Sequence, residues 1–323
     1  MIVTVTLNPA LHVGYEAERV SRGAANPVSR VSYRAGGRGL AVAKVLHTFG
    51  HEVVAAGLLG GSSGELIRDE LARAGVPAQF TRITGESRRI LEITDAADGT
   101  VTTFAEPAPY ITTEELGRLA ADYRALMSDA TAAVLCGSLP AGLPAETYGS
   151  LASYAAEAGV PVVLDASGSA LWHGVGRRPA LVIPAPGGDG AAADDGAAGG
   201  GVADDEVADD EAAGGAAGDA MTGGPGDPLA LLAGGAGAVA ILSDAGVRAV
   251  TAAGEWRAEL GGQHARRASR DAMVAGFVPG IALAWSWPDT LAHAMALAAS
   301  SDPAGEVDLE AYERLLPKVM VDP

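Results

Sequence analysis

The run Arg266-Arg267-Ala268-Ser269-Arg270-Asp271-Ala272-Met273-Val274-Ala275-Gly276-Phe277 places a carboxylate and a guanidinium at what reads as the start of a helix. A polar, breaker-like approach (Gly261, Gly262, Gln263) gives way to small residues at helical spacing, Ala272, Ala275 and Gly276. Asp271 falls in the first turn, where the positive end of the helix dipole favours a carboxylate. The free N–H groups of such a terminus also form a ready phosphate cradle. A second stretch, Arg34-Ala35-Gly36-Gly37-Arg38-Gly39-Leu40-Ala41-Val42-Ala43-Lys44-Val45-Leu46, is a glycine turn feeding a helix. It matches neither a Walker A motif nor a dinucleotide fingerprint, and is either a packing turn or a ligand site. His12, His47, His51 and His173 lie far apart without ligand spacing, so no metal site is expected. No Ser-His-Asp triad and no cysteine nucleophile is legible.

The elements that must position these residues follow from periodicity. Met1–Leu7 alternates like a strand, and the residues through Tyr33 suggest short strands on an exposed sheet. A buried strand is expected within His51–Gly60, and Gly64–Ala74 is an amphipathic helix stopped by Gly75-Val76-Pro77. Arg89–Thr94 and Thr100–Phe104 flank Asp98-Gly99, a strong hairpin signal. Thr112–Met127 is a helix with Thr113 and Glu115 near its cap, and Ala132–Cys136 is a buried strand ending at Gly137-Ser138. A helix (Pro144–Ala158) and two strands (Val162–Asp165, Ala180–Ile183) come next. After residue 228 the expected elements are a helix (Pro228–Leu232), a strand (Ala238–Leu242), a hairpin (Val247–Glu259) and the Asp271 helix. Helices over Pro288–Ala299 and Leu309–Leu316 close the chain. This alternation predicts an α/β fold with a parallel, doubly wound sheet. Ligands on such sheets lie beyond the carboxyl ends of the strands, where Gly137-Ser138, Asp165 and the approach to Asp271 all fall.

Of the 323 residues, 48% are hydrophobic, ample for a core. The net charge of −18 is concentrated: residues 187–228 hold eleven acidic residues and no Lys, Arg or His, leaving −7 elsewhere. That Gly/Ala/Asp-rich segment has almost nothing to pack and reads as a disordered acidic insert, a spacer or a contact segment. The acidic balance and an aromatic content of 5% argue against nucleic acid. No apolar run is long enough to span a membrane, and the first residues carry no basic leader. One cysteine, Cys136, excludes an internal disulfide and suits a reducing, cytoplasmic setting.

Eight short motifs, in order, carry a resemblance over essentially the whole chain except 187–228. They are Leu7-Asn8-Pro9-Ala10, Gly36-Gly37-x-Gly39, Gly85-Glu86-Ser87-Arg88, Glu106-Pro107 and Gly137-Ser138-Leu139-Pro140. Asp165-x-Ser167-Gly168, the Asp271–Phe277 helix start and Gly305-Glu306-Val307-Asp308 complete them. Together they are similar to the PfkB/ribokinase family of sugar kinases, in its 1-phosphofructokinase and tagatose-6-phosphate kinase branch. The resemblance implies one ribokinase-like domain over 1–323, with a small β-sheet lid from about 11–35 and 87–105. It implies transfer of a phosphoryl group from ATP, with Mg²⁺, to a hydroxyl of a hexose phosphate. Asp271 would be the base, Gly36, Gly37, Arg88 and Ser138 the substrate contacts, and Ser243, Gly246 and Arg270 the nucleotide contacts. It also implies a homodimer paired through the lids. Arg88 could instead bridge to Glu86 or Glu92.

The same motifs depart from the family where its chemistry is done. Both glycines before Asp271 are replaced within Ala268-Ser269-Arg270. His12 stands where the branch has an Asp, Ala41 where it has an amide, and Pro27 where it has a basic residue. The family's Lys-Pro-Asn-x-x-Glu reads Ile183-Pro184-Ala185-Pro186-Gly187-Gly188, and its Ser-Leu-Gly-x-x-Gly reads Ile241-Leu242-Ser243-Asp244-Ala245-Gly246. Losing one preorganised donor to a transition-state charge typically costs about 3 kcal/mol, and phosphoryl transfer depends on such positioning and charge. These changes therefore imply impaired or lost kinase activity, or a pseudokinase that binds a sugar phosphate as a sensor or partner. Arg270 could replace the cradle by neutralising the γ-phosphate, face solvent, or pair with Asp271.

Overall fold

The computed structural model describes residues 1–185, 226–243, 246–260, 269–302 and 306–323. Most of the acidic 187–228 segment, the two residues between Ser243 and Gly246, and the approach 261–268 lie outside them. From the amino end run β1 (Ile2–Thr6), β2 (Ala10–Ala17), β3 (Val28–Gly36), α1 (Arg38–Thr48), β4 (Val53–Leu59) and α2 (Gly61–Arg73). Then come β5 (Ala78–Arg82), β6 (Arg88–Asp95), β7 (Val101–Ala105), α3 (Thr113–Met127), β8 (Ala132–Cys136) and α4 (Thr147–Glu157). β9 (Val162–Ala166), α5 (Gly168–Val175), β10 (Leu181–Pro184), α6 (Pro228–Gly234), β11 (Ala238–Ser243) and β12 (Gly246–Thr251) follow. The last are β13 (Gly254–Leu260), α7 (Arg270–Leu283), α8 (Trp287–Ala299), α9 (Leu309–Leu315) and β14 (Val319–Asp322).

Ten strands form one sheet in the order β14-β13-β12-β11-β10-β9-β8-β1-β4-β5. The run from β5 to β11 is parallel, and β12, β13 and β14 add antiparallel. β1, β8 and β9 are buried throughout, which their apolar sequences require of parallel strands covered on both faces. Side-chain alternation divides the core in two. Ile2 faces a cluster with α1, α7 and α8, while Val3 and Val5 face another with α3 and α4. The expected doubly wound α/β architecture is present.

A separate four-stranded sheet, ordered β3-β2-β6-β7, accounts for the exposed strands anticipated before Tyr33 and for the Asp98-Gly99 hairpin. Its register gives it two unlike faces. Arg34, His12 and Ile90 share one face with Gly36, Arg88 and Glu92, whereas Tyr33, Val13, Leu91 and Phe104 share the other with Val31, Tyr15 and Ile93.

Local chemistry explains the helix starts. α3 begins at Thr113, one residue after the expected Thr112, because Thr112 is its cap and forms a reciprocal capping box with Glu115. Backbone donors led by Thr112 N–H hold the Glu115 carboxyl down at about 2. Asp227 caps α6 by accepting from Leu229 N at 3.0 Å, so the end of the acidic run serves an ordered helix. α7 is buried from Ala272 to Gly280 and crosses α8 at small residues: a Cβ on Gly276 would meet the Ala294 Cα at 2.4 Å. That close approach fixes where the amino end of α7 points. Its carboxyl end turns at Ala284, at φ 54°, before Ser286 caps α8.

Candidate active site

The carboxyl ends of β1, β8, β9, β10 and β11 lie along one edge of the large sheet, since these strands are parallel neighbours. Asn8, two residues past β1, donates from Nδ2 to Ser138 Oγ at 3.0 Å and so joins the ends of β1 and β8. Tyr148 holds the same turn, donating to the Cys136 or Gly137 carbonyl at 2.8 and 2.9 Å. Asn8 Oδ1 is buried and has no partner. Arg88, buried at the start of β6, donates to the Asn8 carbonyl at 3.4 Å.

Gly36 ends β3 and Gly37 caps α1 at φ 128°, a conformation that L side chains rarely adopt. Gly36 and Arg88 flank Ala10 across the small sheet, and Asn8 links this end of the chain to Ser138. Glu86 and Glu92 are both committed elsewhere. Glu86 closes the amino end of α2, accepting from Ser63 N at 2.6 Å, and that bond leads the lowering of its pKa. Glu92 Oε1 lies 3.3 Å from His12 Nδ1, the contact that chiefly lowers the Glu92 pKa. His12 is buried against Gly36, where any Cβ would overlap its ring, and Arg34 Nη2 lies 3.4 Å from its Nδ1. His12 therefore brings an imidazole–carboxylate pair to this face.

The opposite side of the site holds the main departure from expectation. Arg270 is mostly covered and reaches across the sheet: its side chain is 25% exposed and Nη2 donates to Asp165 Oδ1 at 2.7 Å. The same nitrogen lies 3.1 Å from the Pro184 carbonyl and 3.5 Å from that of Ile183. Asp165 is wholly buried at the end of β9, and Arg38 Nη1 reaches the same oxygen at 3.0 Å. Two guanidiniums thus converge on one carboxylate oxygen, tying α7, α1, β9 and β10 together. Ser269 caps α7 by accepting from Ala272 N at 3.3 Å, which occupies one of the N–H groups a phosphate would use. Asp271 follows, half-buried, in the first turn.

Ser243 and Gly246 face each other across the end of the β11–β12 hairpin, and the Ser243 hydroxyl donates to the Gly246 carbonyl at 3.0 Å. They stand on the sheet edge two strands from Asp165. Among the described residues no three His, Cys, Asp or Glu side chains gather to hold a metal ion. None of the described helices is long and apolar enough to cross a membrane.

Comparison across families matches residues 10–184 to the pfkB family of carbohydrate kinases. The chain belongs to this family. A tagatose-6-phosphate kinase of Staphylococcus epidermidis is 35% identical over 171 residues, which are 53% of this chain and 54% of that protein. The match thus spans about half the length of its curated relatives. Among solved structures, phosphofructokinase-2 from Escherichia coli in its tetrameric inhibited form superposes with a TM-score of 0.77 at 20% identity, covering 98% of each chain. The same enzyme in complex with fructose-6-phosphate gives 0.74 at 18% identity, again over 98% of each chain. A carbohydrate kinase from Agrobacterium tumefaciens gives 0.71 at 17% identity over 99% of each. At these identities the structures establish the common fold. It is the ribokinase-like arrangement of a large, mostly parallel sheet beside a small one.

Proposed function

We propose that this pfkB-family chain binds a hexose phosphate but carries out phosphoryl transfer to it poorly or not at all. The binding half rests on the polar groups kept together at the ends of β1, β3, β6 and β8. Asn8 offers a buried, unpartnered carbonyl oxygen suited to a sugar hydroxyl, and Ser138 lies beside it. The Gly36-Gly37 backbone adjoins them, and Arg88 is suited to a phosphate. A hexose phosphate is also what the name of the tagatose-6-phosphate kinase relative implies.

The transfer half rests on one observation: Arg270 is engaged with Asp165 and the end of β10. Its Nη2 is spent on protein acceptors, and the α7 terminus is capped by its own Ser269. The described residues do not fit Mg²⁺ and a nucleoside triphosphate in the family manner. The buried carboxylate nearest the site already carries two arginines, the Ser243 hydroxyl serves its own hairpin, and Ile183 and Ala185 offer no side-chain donor or ligand. Asp271 keeps the position of a base without the cradle that would present a phosphoryl group to it. A sensor or protein-partner role follows from that combination. We further propose self-association through the apolar face of the small sheet, where Tyr33, Val31 and Phe104 are exposed.

Calorimetric titration with fructose 1-phosphate, fructose 6-phosphate and tagatose 6-phosphate tests the binding half. Arg88→Ala is expected to weaken the tightest of these by about 10- to 100-fold, the loss of a charge-assisted contact to phosphate. Arg88→Lys, which keeps the buried charge, should fall between. No binding to the unaltered chain, or equal binding to all three proteins, would refute it.

A further inference from the structure

We infer that Arg270 is a built-in plug, an autoinhibitory contact that holds the phosphoryl side of the site closed against anions. The inference rests on the functional reading above and says why the transfer half is silent. Three features support a plug over a ligand-seeking arginine. The first is stoichiometry: one nitrogen, Nη2, faces the Asp165 carboxylate and two main-chain carbonyls at once, so its donors are satisfied without a ligand. The second is burial. Asp165 has no exposure and three quarters of the Arg270 side chain is covered, so the ion pair lies mostly beneath the surface at the end of β9. The third is anchorage at both ends. Arg270 is the first residue of α7, whose next turns are buried against α8, while Asp165 is also held by Arg38. An anion approaching the amino end of α7 has to displace a largely covered charge pair. That lowers its apparent affinity by roughly tenfold or more.

The geometry also separates a plug from an arginine that itself binds phosphate, because the two roles predict opposite signs. Removing a plug opens the terminus, and removing a ligand takes a positive charge from the anion. Arg270→Gly leaves Asp165 its contact with Arg38, so the buried carboxylate keeps a partner. Titration of the full chain with inorganic phosphate and inorganic pyrophosphate reads the sign. Arg270→Gly is expected to bind at least one of these tenfold or more tighter than the unaltered protein. Arg270→Lys, which keeps the charge but lacks the planar fork, should lie between them. Circular dichroism and the melting transition confirm that each variant is folded. Affinity unchanged or reduced in Arg270→Gly, with Arg270→Lys folded and behaving like the unaltered chain, would overturn the plug. Turnover by the unaltered protein would instead overturn the functional reading, so the two failures have different readouts.

Discussion

Arg270 and Asp165 are 105 residues apart, and the function proposed for the site turns on their pairing. From the sequence, the natural partner of Arg270 is the adjacent Asp271. No local pattern indicates that a buried carboxylate at the end of β9 will claim it. The signal that existed was Asp165 itself, a lone charge closing the apolar run Val162-Val163-Leu164, which has to find a counter-ion when buried. Likewise Arg38 read as part of a glycine turn, and His12 as the loss of a carboxylate rather than the gain of a Glu92 partner. If the Arg38–Asp165–Arg270 cluster is an integral ion group, removing its centre should strand two guanidiniums in a covered site. Asp165→Ala is then expected to lose about 3–5 kcal/mol of unfolding free energy in urea titration. A loss below about 1 kcal/mol would mean that the cluster is solvated and holds nothing together.

At the scale of elements, helices and central strands were legible because their periodicity is locally encoded. β1, β8, β9, α3 and α8 fall within a residue or two of expectation, and α2 begins three residues early at Gly61. β5, α5 and β14 were not anticipated. Two of them are edge strands of four or five residues, made into strands by β4 and β13 rather than by their own pattern. α5 spans eight residues between Gly168 and Gly176, too short for a clear helical period. The small sheet was foreseen, but its two faces emerge only with the register, since one residue of slip would exchange them. The exposed apolar face carries a prediction of its own. Light scattering should find a dimer in the unaltered chain and a monomer in a Tyr33→Glu/Phe104→Glu variant, because an exposed apolar face of this kind favours a second copy. A monomer in both, at concentrations of about 100 μM where weak dimers still form, would set that association aside.

Over the whole molecule, the fold is the one shared with the pfkB family, and the proposal is that the chemistry at its edge differs. The sheet order, the small sheet and the helical layers superpose on pfkB-family structures at 17–20% identity. A fold of this kind tolerates such drift because its core needs only apolar volume of about the right size and pattern. Phosphoryl transfer tolerates far less, since it depends on positioned donors and charge. The long acidic segment contributes eleven of the acidic residues behind the net charge of −18. Binding without transfer is the central proposal for this chain, and ADP release measures transfer most directly. Purified protein would be incubated with Mg-ATP and each of the three hexose phosphates, beside Asp271→Asn. The expected result is no sugar-dependent ADP above the Asp271→Asn background, with sugar-phosphate binding intact. Sugar-dependent ADP release that Asp271→Asn abolishes would contradict it and make Arg270 part of a working phosphate site.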